Sequence, residues 1–187
     1  MEEANFIEQL TNKKYREKAF IKLLNLYQER LYWHIRKIVG THENADDVLQ
    51  NTFLRVYKSL PNFKQESSLH TWMYRIAYNE SLRFLEKENK KNVSSLQDVN
   101  SHFLDNLKED TFFDGEEAQV KLHEVLNQLS ESQKRVFNMK YYDNLKFREI
   151  GELLNMSENT IKTHYYAVVK HIEKNITAVA YIDKIKA

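Results

Sequence analysis

The chain has 187 residues, of which 42% are hydrophobic and 29% charged, so it has enough apolar material for one large packed core or two small ones. It contains no cysteine, which excludes a disulfide scaffold, a thiolate metal site and a cysteine nucleophile. Three glycines and one proline leave few residues for tight turns, so the composition favours an all-α fold over a multi-stranded sheet. No apolar run reaches the roughly 18 residues of a membrane span, and the acidic N-terminus opens no signal region, so we expect a cytoplasmic protein without membrane insertion.

The net charge of +1 hides an uneven distribution along the chain. Residues 1–91 sum to +4, residues 92–118 to −6 and residues 119–187 to +3. This layout suggests two modules that face a polyanion, separated by an acidic strip. An unevenly charged but merely solvated surface is the alternative. Charge alone favours that alternative, because neither basic block is strongly basic.

The position of a linker can be predicted independently of charge. Helical periodicity fails between Asn89 and Asp114, where polar, cap-forming residues accumulate. The sequence therefore predicts two small helical domains over residues 1–91 and 116–187, joined by a flexible acidic linker over residues 92–115.

Three helices are predicted in the first domain from the spacing of its apolar residues. The first spans residues 14–39 and ends at Gly40, because a residue in the left-handed region is favoured at a helix C-terminus. Thr41 can cap the second helix, whose acidic first turns are favoured by the helix dipole. The second helix should end near Leu60, because Pro61 disfavours helical geometry in the residue before it.

The third helix follows a short loop, and Ser67 or Ser68 can cap it. Its predicted apolar stripe consists of Leu69, Trp72, Met73, Ile76 and Ala77. The opposite face is predicted to carry Arg75, Tyr78, Asn79 and Leu82, with Phe63 and Lys64 in the preceding loop. Rings among cations and amides suit unpaired nucleotides, since rings stack on bases while cations meet phosphates. Core packing is the alternative for Phe63 and Trp72, and it is favoured for Trp72 taken alone.

The second domain is predicted to contain four helices. The first covers residues 116–129, Ser130 caps the second, and a short third helix lies between Phe147 and Leu154. Ser157 can cap the fourth, which runs from about residue 158 to 173. A short helix joined to the next by a tight turn is typical of a helix-turn-helix.

The fourth helix has two distinct faces. Its buried stripe is predicted at Ile161, Tyr165, Val168 and Ile172. The other side carries residue types that read or grip DNA, namely Asn159, Lys162, Thr163, Tyr166 and Lys170. A generic helical bundle with an exposed polar face is the alternative.

Three segments of the chain resemble the sigma-70 family of RNA polymerase sigma factors. Residues 44–57, NADDVLQNTFLRVY, resemble region 2.2 of that family. Phe63 with residues 69–79, LHTWMYRIAYN, looks like the promoter-melting and minus-ten-reading regions. Residues 129–137 and 147–154, with the fourth helix, resemble region 4. The short two-domain layout is similar to the extracytoplasmic-function (ECF) subgroup.

The resemblance implies a transcription initiation factor that binds core RNA polymerase and directs it to promoter DNA. Docking on the clamp helices of the polymerase is implied for Asp46, Asp47, Gln50 and Asn51. Holding the unpaired minus-ten strand is implied for Phe63, Lys64, Trp72, Arg75, Tyr78 and Asn79. Reading of the minus-thirty-five element is implied for Ser157, Asn159, Thr160, Lys162, Thr163, Tyr166 and Lys170. Members of the family often have an anti-sigma factor as a further partner.

The chain departs from the family at several positions. An acidic residue is usual where Asn51 stands, Asp where Arg83 stands and a basic residue where Glu86 stands. Basic residues are common where the fourth helix has His164, Ala167 and Val169. Each missing cation removes a counterion-release contribution to DNA affinity.

Three other classes of protein compete with this interpretation. Residues 156–164 are also similar to the recognition helix of LuxR-type regulators, but the first domain lacks the alternating strands and helices of their usual partner domains. An enzyme is disfavoured, because Asp46 and Asp47 point about 100° apart on a helix and the seven histidines are scattered. A helical adaptor leaves both base-facing clusters unexplained. We expect no cofactor, no metal and no small-molecule substrate.

Overall fold

The computed structural model describes residues 2–91 and 128–186, with side chains for residues 3–90 and 128–175, and every regular element in these ranges is helical. The first unit contains α1 (Glu2–Thr11), α2 (Arg16–Val39), α3 (His42–Ser59), a 3-10 turn (Leu60–Asn62) and α4 (Leu69–Lys91). The second unit contains α5 (Glu131–Tyr141), α6 (Phe147–Leu154) and α7 (Glu158–Lys186).

The boundaries of α2 and α3 follow from the residues at their shared turn. Gly40 ends α2 with φ 86°, and its backbone N–H donates to the carbonyl of Arg36 at 3.1 Å. That positive φ is tolerated because glycine has no Cβ. Thr41 then caps α3, since its hydroxyl accepts from the backbone N–H of Asn44 at 3.2 Å. Both predictions for this turn are confirmed.

The first unit is a helical bundle whose core lies between α2, α3 and α4. Its fully buried side chains include Leu23, Leu31 and Ile35 of α2, Val48 and Val56 of α3, and Met73 and Tyr74 of α4. Burying a side chain of this size stabilises the fold by about 1.5–3 kcal/mol each relative to leaving it in water. These contacts fix which side of α3 and α4 remains outside.

The first helix, α1, was not predicted from the sequence. It packs against α2 and the 3-10 turn, and it contributes Ile7 and Leu10 to the core. Only two of its ten residues are buried apolar side chains, and its sequence, EEANFIEQLT, is otherwise largely polar. Such a helix gives little periodic signal, and packing on neighbours rather than propensity stabilises it.

The connection between α3 and α4 places an aromatic residue beside the start of α4. Helix α3 ends at Ser59, close to the predicted end, but Leu60 keeps right-handed helical geometry with φ −51° and ψ −41°, and the chain passes into a 3-10 turn that contains Pro61. Phe63 follows the turn and is buried. Ser68 caps α4, because its hydroxyl accepts from the backbone N–H of Thr71 at 3.1 Å.

The second unit is a helix-turn-helix with one supporting helix. Ser130 and Gln133 form a reciprocal capping box at the start of α5. Between α6 and α7, Asn155 adopts left-handed geometry with φ 54°. Gly151 allows the turn to pass close by, since a Cβ there would lie 2.7 Å from the carbonyl oxygen of Met156.

The helices predicted around Ser130, between Phe147 and Leu154, and after Ser157 are confirmed, and α7 extends beyond its predicted end. The linker predicted over residues 92–115 and most of the helix predicted over residues 116–129 lie outside the described residues. Residues 128 and 129, the last two of that helix, form a turn.

Candidate polymerase and nucleic-acid interfaces

The outer face of α3 carries the residues predicted to contact polymerase. Asp47, Gln50 and Asn51 are exposed, as predicted, and the Nδ2 of Asn51 donates to the backbone carbonyl of Asp47 at 2.9 Å. Leu54 lies seven residues after Asp47, about 20° around the helix, and is 58% exposed. An apolar side chain among polar ones is typical of the centre of a protein interface. The sequence interpretation missed Leu54, although its place opposite the buried stripe was a usable signal.

Asp46 lies at the edge of this face rather than at its centre. Its Oδ2 is 3.8 Å from Nε2 of His42, and the other ring nitrogen of His42 is 2.5 Å from the hydroxyl of Tyr32. The side chain of Asp46 is half-exposed. Of the four predicted polymerase-contacting residues, Asp46 is therefore the one already engaged by a side chain of its own chain.

Helix α4 has two opposite faces, and the prediction assigned two of its aromatic residues to the wrong ones. Tyr78 was placed on the polar face but is only 6% exposed and belongs to the core, one turn after Tyr74. Trp72 was placed in the apolar stripe but is half-buried on the side of α4 that faces away from the core. Adjacent residues on a helix differ by about 100°, so Tyr78 and Asn79 do not share a face.

The exposed face of α4 consists of Trp72, Asn79 and Arg83, with Arg75 at its edge. Trp72 and Asn79 are seven residues apart and therefore within about 20° of one another around the helix. The ring of Trp72 lies 4.8 Å from the ring of Phe63, centroid to centroid. Because Phe63 is buried, it supports the indole instead of offering a free face of its own. Lys64 is exposed in the loop beside this pair.

An ion-pair network fixes α4 against α3 near this face. One carboxylate oxygen of Glu80 accepts from Nε of Arg55 at 2.7 Å and from Nη1 of Arg83 at 2.5 Å. Glu80 is 11% exposed, whereas both arginines are about half-exposed. Arg83 stands where the family often has an acid, and in this chain it pairs with an acid three residues earlier. The Arg55–Glu80 pair thus joins α3 to α4 at the surface.

The exposed face of α7 brings together four of the residues predicted to meet DNA. Asn159, Thr163, Tyr166 and Lys170 are exposed, while Ile161 and Val168 on the other side are fully buried. The predicted division of this helix is confirmed for the buried stripe, since Tyr165 and Ile172 also pack against the core. Tyr166 is 59% exposed and its ring lies 6.1 Å from that of Phe147.

The three other predicted residues of α7 have partners within the chain. The hydroxyl of Ser157 accepts from the backbone N–H of Thr160 at 3.1 Å and meets its hydroxyl at 2.7 Å, so both residues build the helix cap. Nζ of Lys162 lies 2.6 Å from a carboxylate oxygen of Glu158. Lys162 is half-exposed at the edge of the outer face, and it must leave Glu158 before it can meet a base.

Two tyrosines at the end of α5 form an exposed aromatic surface that the sequence interpretation did not assign. Tyr141 and Tyr142 are 64% and 50% exposed, and their rings lie 5.0 Å apart. Partial burial raises the pKa of the Tyr142 phenol, and Tyr141 adds to that rise. The raised pKa favours the neutral phenol of Tyr142, which suits an apolar contact.

No helix among the described residues is long and apolar enough to cross a membrane. Within the same part of the chain, no three potential ligand side chains are close enough together to hold a metal ion.

The described residues form two helical units, one with an aromatic ring and an amide on the outer face of α4 and one with a helix-turn-helix, the motif typical of DNA-binding proteins. Comparison with protein families identifies the class. The family described as "Sigma-70 region 2" matches residues 23–91, and the family described as "Sigma-70, region 4" matches residues 119–172. The chain belongs to the sigma-70 family and is an ECF-type sigma factor, a transcription initiation factor that directs RNA polymerase to promoters.

Curated relatives are similar over most of the chain. ECF RNA polymerase sigma factor SigW of Bacillus subtilis is 26% identical over 173 residues, which cover 88% of this chain and 92% of SigW. RNA polymerase sigma factor SigV of the same organism is 27% identical over 139 residues, covering 74% of this chain and 80% of SigV.

Solved structures share the fold. The sigma factor RpoE in complex with the anti-sigma factor NepR from Bartonella quintana matches with a TM-score of 0.63 at 18% identity, covering 86% of this chain and 98% of that one. CnrH in complex with the cytosolic domain of CnrY also matches with a TM-score of 0.63, at 15% identity, covering 94% of this chain and 97% of that one.

Because Tyr78 lies in the core and Trp72 on the outer side of α4, truncating the two residues should cost different amounts of stability. Tyr78→Ala should destabilise the first unit by about 3–5 kcal/mol, as for other buried rings, because it opens a cavity. Trp72→Ala should cost less, since the indole lies on the outer side of α4 and is only partly buried. Urea unfolding followed by tryptophan fluorescence reports on this unit, because both tryptophans, Trp33 and Trp72, lie in it. Tyr78→Phe is the volume-matched control, and equal stability of Tyr78→Ala and wild type would contradict the core position.

Proposed function

We propose that this sigma factor divides initiation among three surfaces: the outer face of α3 for core polymerase, that of α4 for the unpaired minus-ten strand, and that of α7 for the minus-thirty-five element. The observation that carries the proposal is the outer face of α4, where Trp72 is only partly buried and Asn79 is exposed, because core packing does not account for a ring and an amide on this side. The proposed domains are residues 1–91 and 116–187, with residues 92–115 as the linker. The protein acts by binding, not by catalysis, in the cytoplasm.

Docking of α3 on the clamp helices of polymerase is supported by the composition of its outer face. Asp47 and Gln50 are exposed three residues apart and can pair with basic and polar groups of a partner helix. Leu54 offers apolar area on the same side. The small number of charges around an apolar residue fits an interface that excludes water at its centre. Asp46 and Asn51 extend the surface at its edges.

The residues proposed to bind the unpaired minus-ten strand are Trp72, Arg75, Asn79 and Lys64. Phe63 packs beneath the Trp72 ring. The half-exposed indole can stack on a base while Phe63 holds its plane in place. Asn79 can donate to and accept from a base edge, and Lys64 can meet a phosphate. Tyr78 has no part in contact with the strand, because its ring is within the core.

Recognition of duplex DNA by α7 is supported by the exposure of Asn159, Thr163, Tyr166 and Lys170 on one side of the helix. The N-terminal residues of a recognition helix enter the major groove most deeply. Asn159 and Lys162 therefore lie at base depth, whereas Lys170 is two turns further on, at the level of the phosphates. Ser157 and Thr160 contribute by fixing the start of the helix.

An anti-sigma factor is a further proposed partner. Support comes from the similar fold of the RpoE that was solved bound to the anti-sigma factor NepR. A LuxR-type regulator, the alternative that residues 156–164 left open, is not favoured, because the first unit matches sigma region 2 over its three main helices.

Polymerase docking predicts a defect in Asp47→Ala/Gln50→Ala. Affinity for core polymerase should fall by about 1–3 kcal/mol, roughly 5- to 150-fold in Kd, because both side chains face the partner. The matched control is Gln28→Ala/Glu29→Ala, which removes an exposed amide and an exposed carboxylate from α2. Titration of core polymerase with labelled protein measures both. Equal affinity of the α3 variant and the wild type, with helicity retained, would remove the docking surface from α3.

Promoter reading predicts different defects for Lys162→Ala and Lys170→Ala. The first should lose about 1–3 kcal/mol and relax specificity at one base pair, because it loses a base contact. The second should weaken all sequences alike and reduce the salt slope by about one unit, because it loses a phosphate contact. Holoenzyme binding to a promoter and its single-base variants at several salt concentrations distinguishes them. A base-specific defect in Lys170→Ala but not in Lys162→Ala would reverse the orientation of α7, and no defect in either would refute the assignment.

A further inference from the structure

A groove in the first unit lies outside the residues that match the family. It is a cavity of about 340 Å³ between α1 and the start of α2. Its lining includes the amide side chains of Asn5, Gln9 and Asn12, and the ring of Tyr15. Lys18 and Lys22 line one side, and Glu8 is also part of the wall. The volume falls at the lower end of the range for small-ligand sites.

The corner that shapes this groove is held by hydrogen bonds and is not a loose surface loop. Arg16 donates from Nε to the carbonyl of Leu10 at 3.0 Å and from Nη2 to that of Thr11 at 2.7 Å. The backbone N–H of Lys14 donates to Oδ1 of Asn12 at 2.9 Å. Leu10 is fully buried beneath. The guanidinium therefore ties the end of α1 to the start of α2 and fixes the position of Tyr15 between them.

The cations around the groove are not neutralised by acids of the described residues. Lys13, Lys14, Lys18 and Lys22 are all exposed, and none forms an ion pair within that part of the chain. Nζ of Lys14 lies 5.2 Å from the centroid of the Tyr15 ring, which is itself 49% exposed. Arg83 on α4, in contrast, already pairs with Glu80. Free ammonium groups beside an exposed ring attract a polyanion that carries planar groups.

The groove lies at the end of the bundle that holds Phe63 and Trp72. Helix α1 packs against the 3-10 turn Leu60–Asn62, and Phe63 is the next residue. Phe20, in the second turn of α2, packs against Tyr57 near the end of α3, with ring centroids 4.9 Å apart. These contacts place α1 and the start of α2 at the same end of the first unit as Phe63, whose ring lies against that of Trp72.

The geometry points to a second nucleotide site: the α1–α2 groove takes a base and its flanking phosphates from the unpaired promoter strand, at the same end of the first unit as the nucleotides held by α4. This inference rests on the minus-ten role proposed above. Tyr15 stacks on the base, the amides and Glu8 meet its polar edge, and Lys18 and Lys22 contact phosphates. The exposed Tyr15 ring beside the lysines favours a single strand over an acidic peptide, because stacking of a base on the ring adds to the phosphate contacts. A single strand satisfies all three kinds of side chain.

The test uses complete holoenzyme and a promoter template in which the minus-ten region is already unpaired by mismatches, so that melting does not contribute. Three variants are compared with wild type: Tyr15→Ala, Lys18→Ala/Lys22→Ala, and the charge-retaining Lys18→Arg/Lys22→Arg. Binding is measured at several salt concentrations, and affinity for core polymerase is measured separately. Trp72→Ala is tested on the same template as a probe of the α4 face.

Tyr15→Ala should weaken binding of the unpaired template several-fold, and Lys18→Ala/Lys22→Ala should reduce the salt slope by about 1.4, since each of the two phosphate contacts on a single strand contributes roughly 0.7. The arginine variant should keep the slope. Unchanged affinity and slope in both alanine variants, with Trp72→Ala impaired, would overturn this inference alone. If Trp72→Ala also binds like wild type, the minus-ten proposal fails with it. Lost core affinity in the alanine variants would assign the groove to a protein partner and overturn the nucleotide site.

Discussion

The orientation of α4 about its own axis is the constraint on which the rest of the first unit depends. Met73, Tyr74, Ala77, Tyr78 and Ser81 are all buried, and together they leave one rotation of the helix compatible with a packed core. Turning α4 by one residue, about 100°, would bring polar groups inside and withdraw the indole of Trp72 from the surface. The apolar core therefore determines which side chains lie on the outer face of α4.

This constraint also connects the two proposed activities of the unit. Glu80 bonds Arg55 of α3 and Arg83 of α4, so the polymerase-facing and strand-facing helices share an anchor at the surface as well as a core. Because the two helices also share a packed core, docking of α3 on polymerase, as proposed, would also fix where α4 stands relative to the promoter. Binding to polymerase would then also position the Trp72 ring for stacking. The entropy cost of ordering the two helices would be met at that step and not again when the strand binds.

The sequence predicts the helices well where a single residue marks a boundary. Gly40, Thr41, Ser130 and Ser157 act locally, through backbone geometry or one capping bond, so neighbouring residues suffice to recognise them. The faces of α4 could not be predicted in the same way. Aromatic residues occur on both sides of this helix, and only the tertiary contacts with α2 and α3 decide that Tyr78 is inside and Trp72 is outside.

The proposed functional surfaces could likewise be predicted only in part from the sequence. The outer side of α7 follows from a clear apolar period, whereas the pairing of Lys162 with Glu158 depends on rotamers that a sequence does not contain. Helix α1 and the groove beside Tyr15 could not be predicted, since a mostly polar helix becomes visible only through its docking on α2. Candidate residues that lie outside the family motifs could therefore be identified only from the structure.

The most direct measurement of the central claim is permanganate reactivity of thymines in the melted promoter, with holoenzyme carrying Trp72→Ala/Asn79→Ala. If the outer face of α4 captures the unpaired strand, reactivity should fall at least several-fold, because stacking on one base is worth roughly 1–3 kcal/mol. Binding to core polymerase and to the upstream duplex should remain as in wild type. Wild-type reactivity in this variant, with the protein folded and bound to polymerase, would contradict the account.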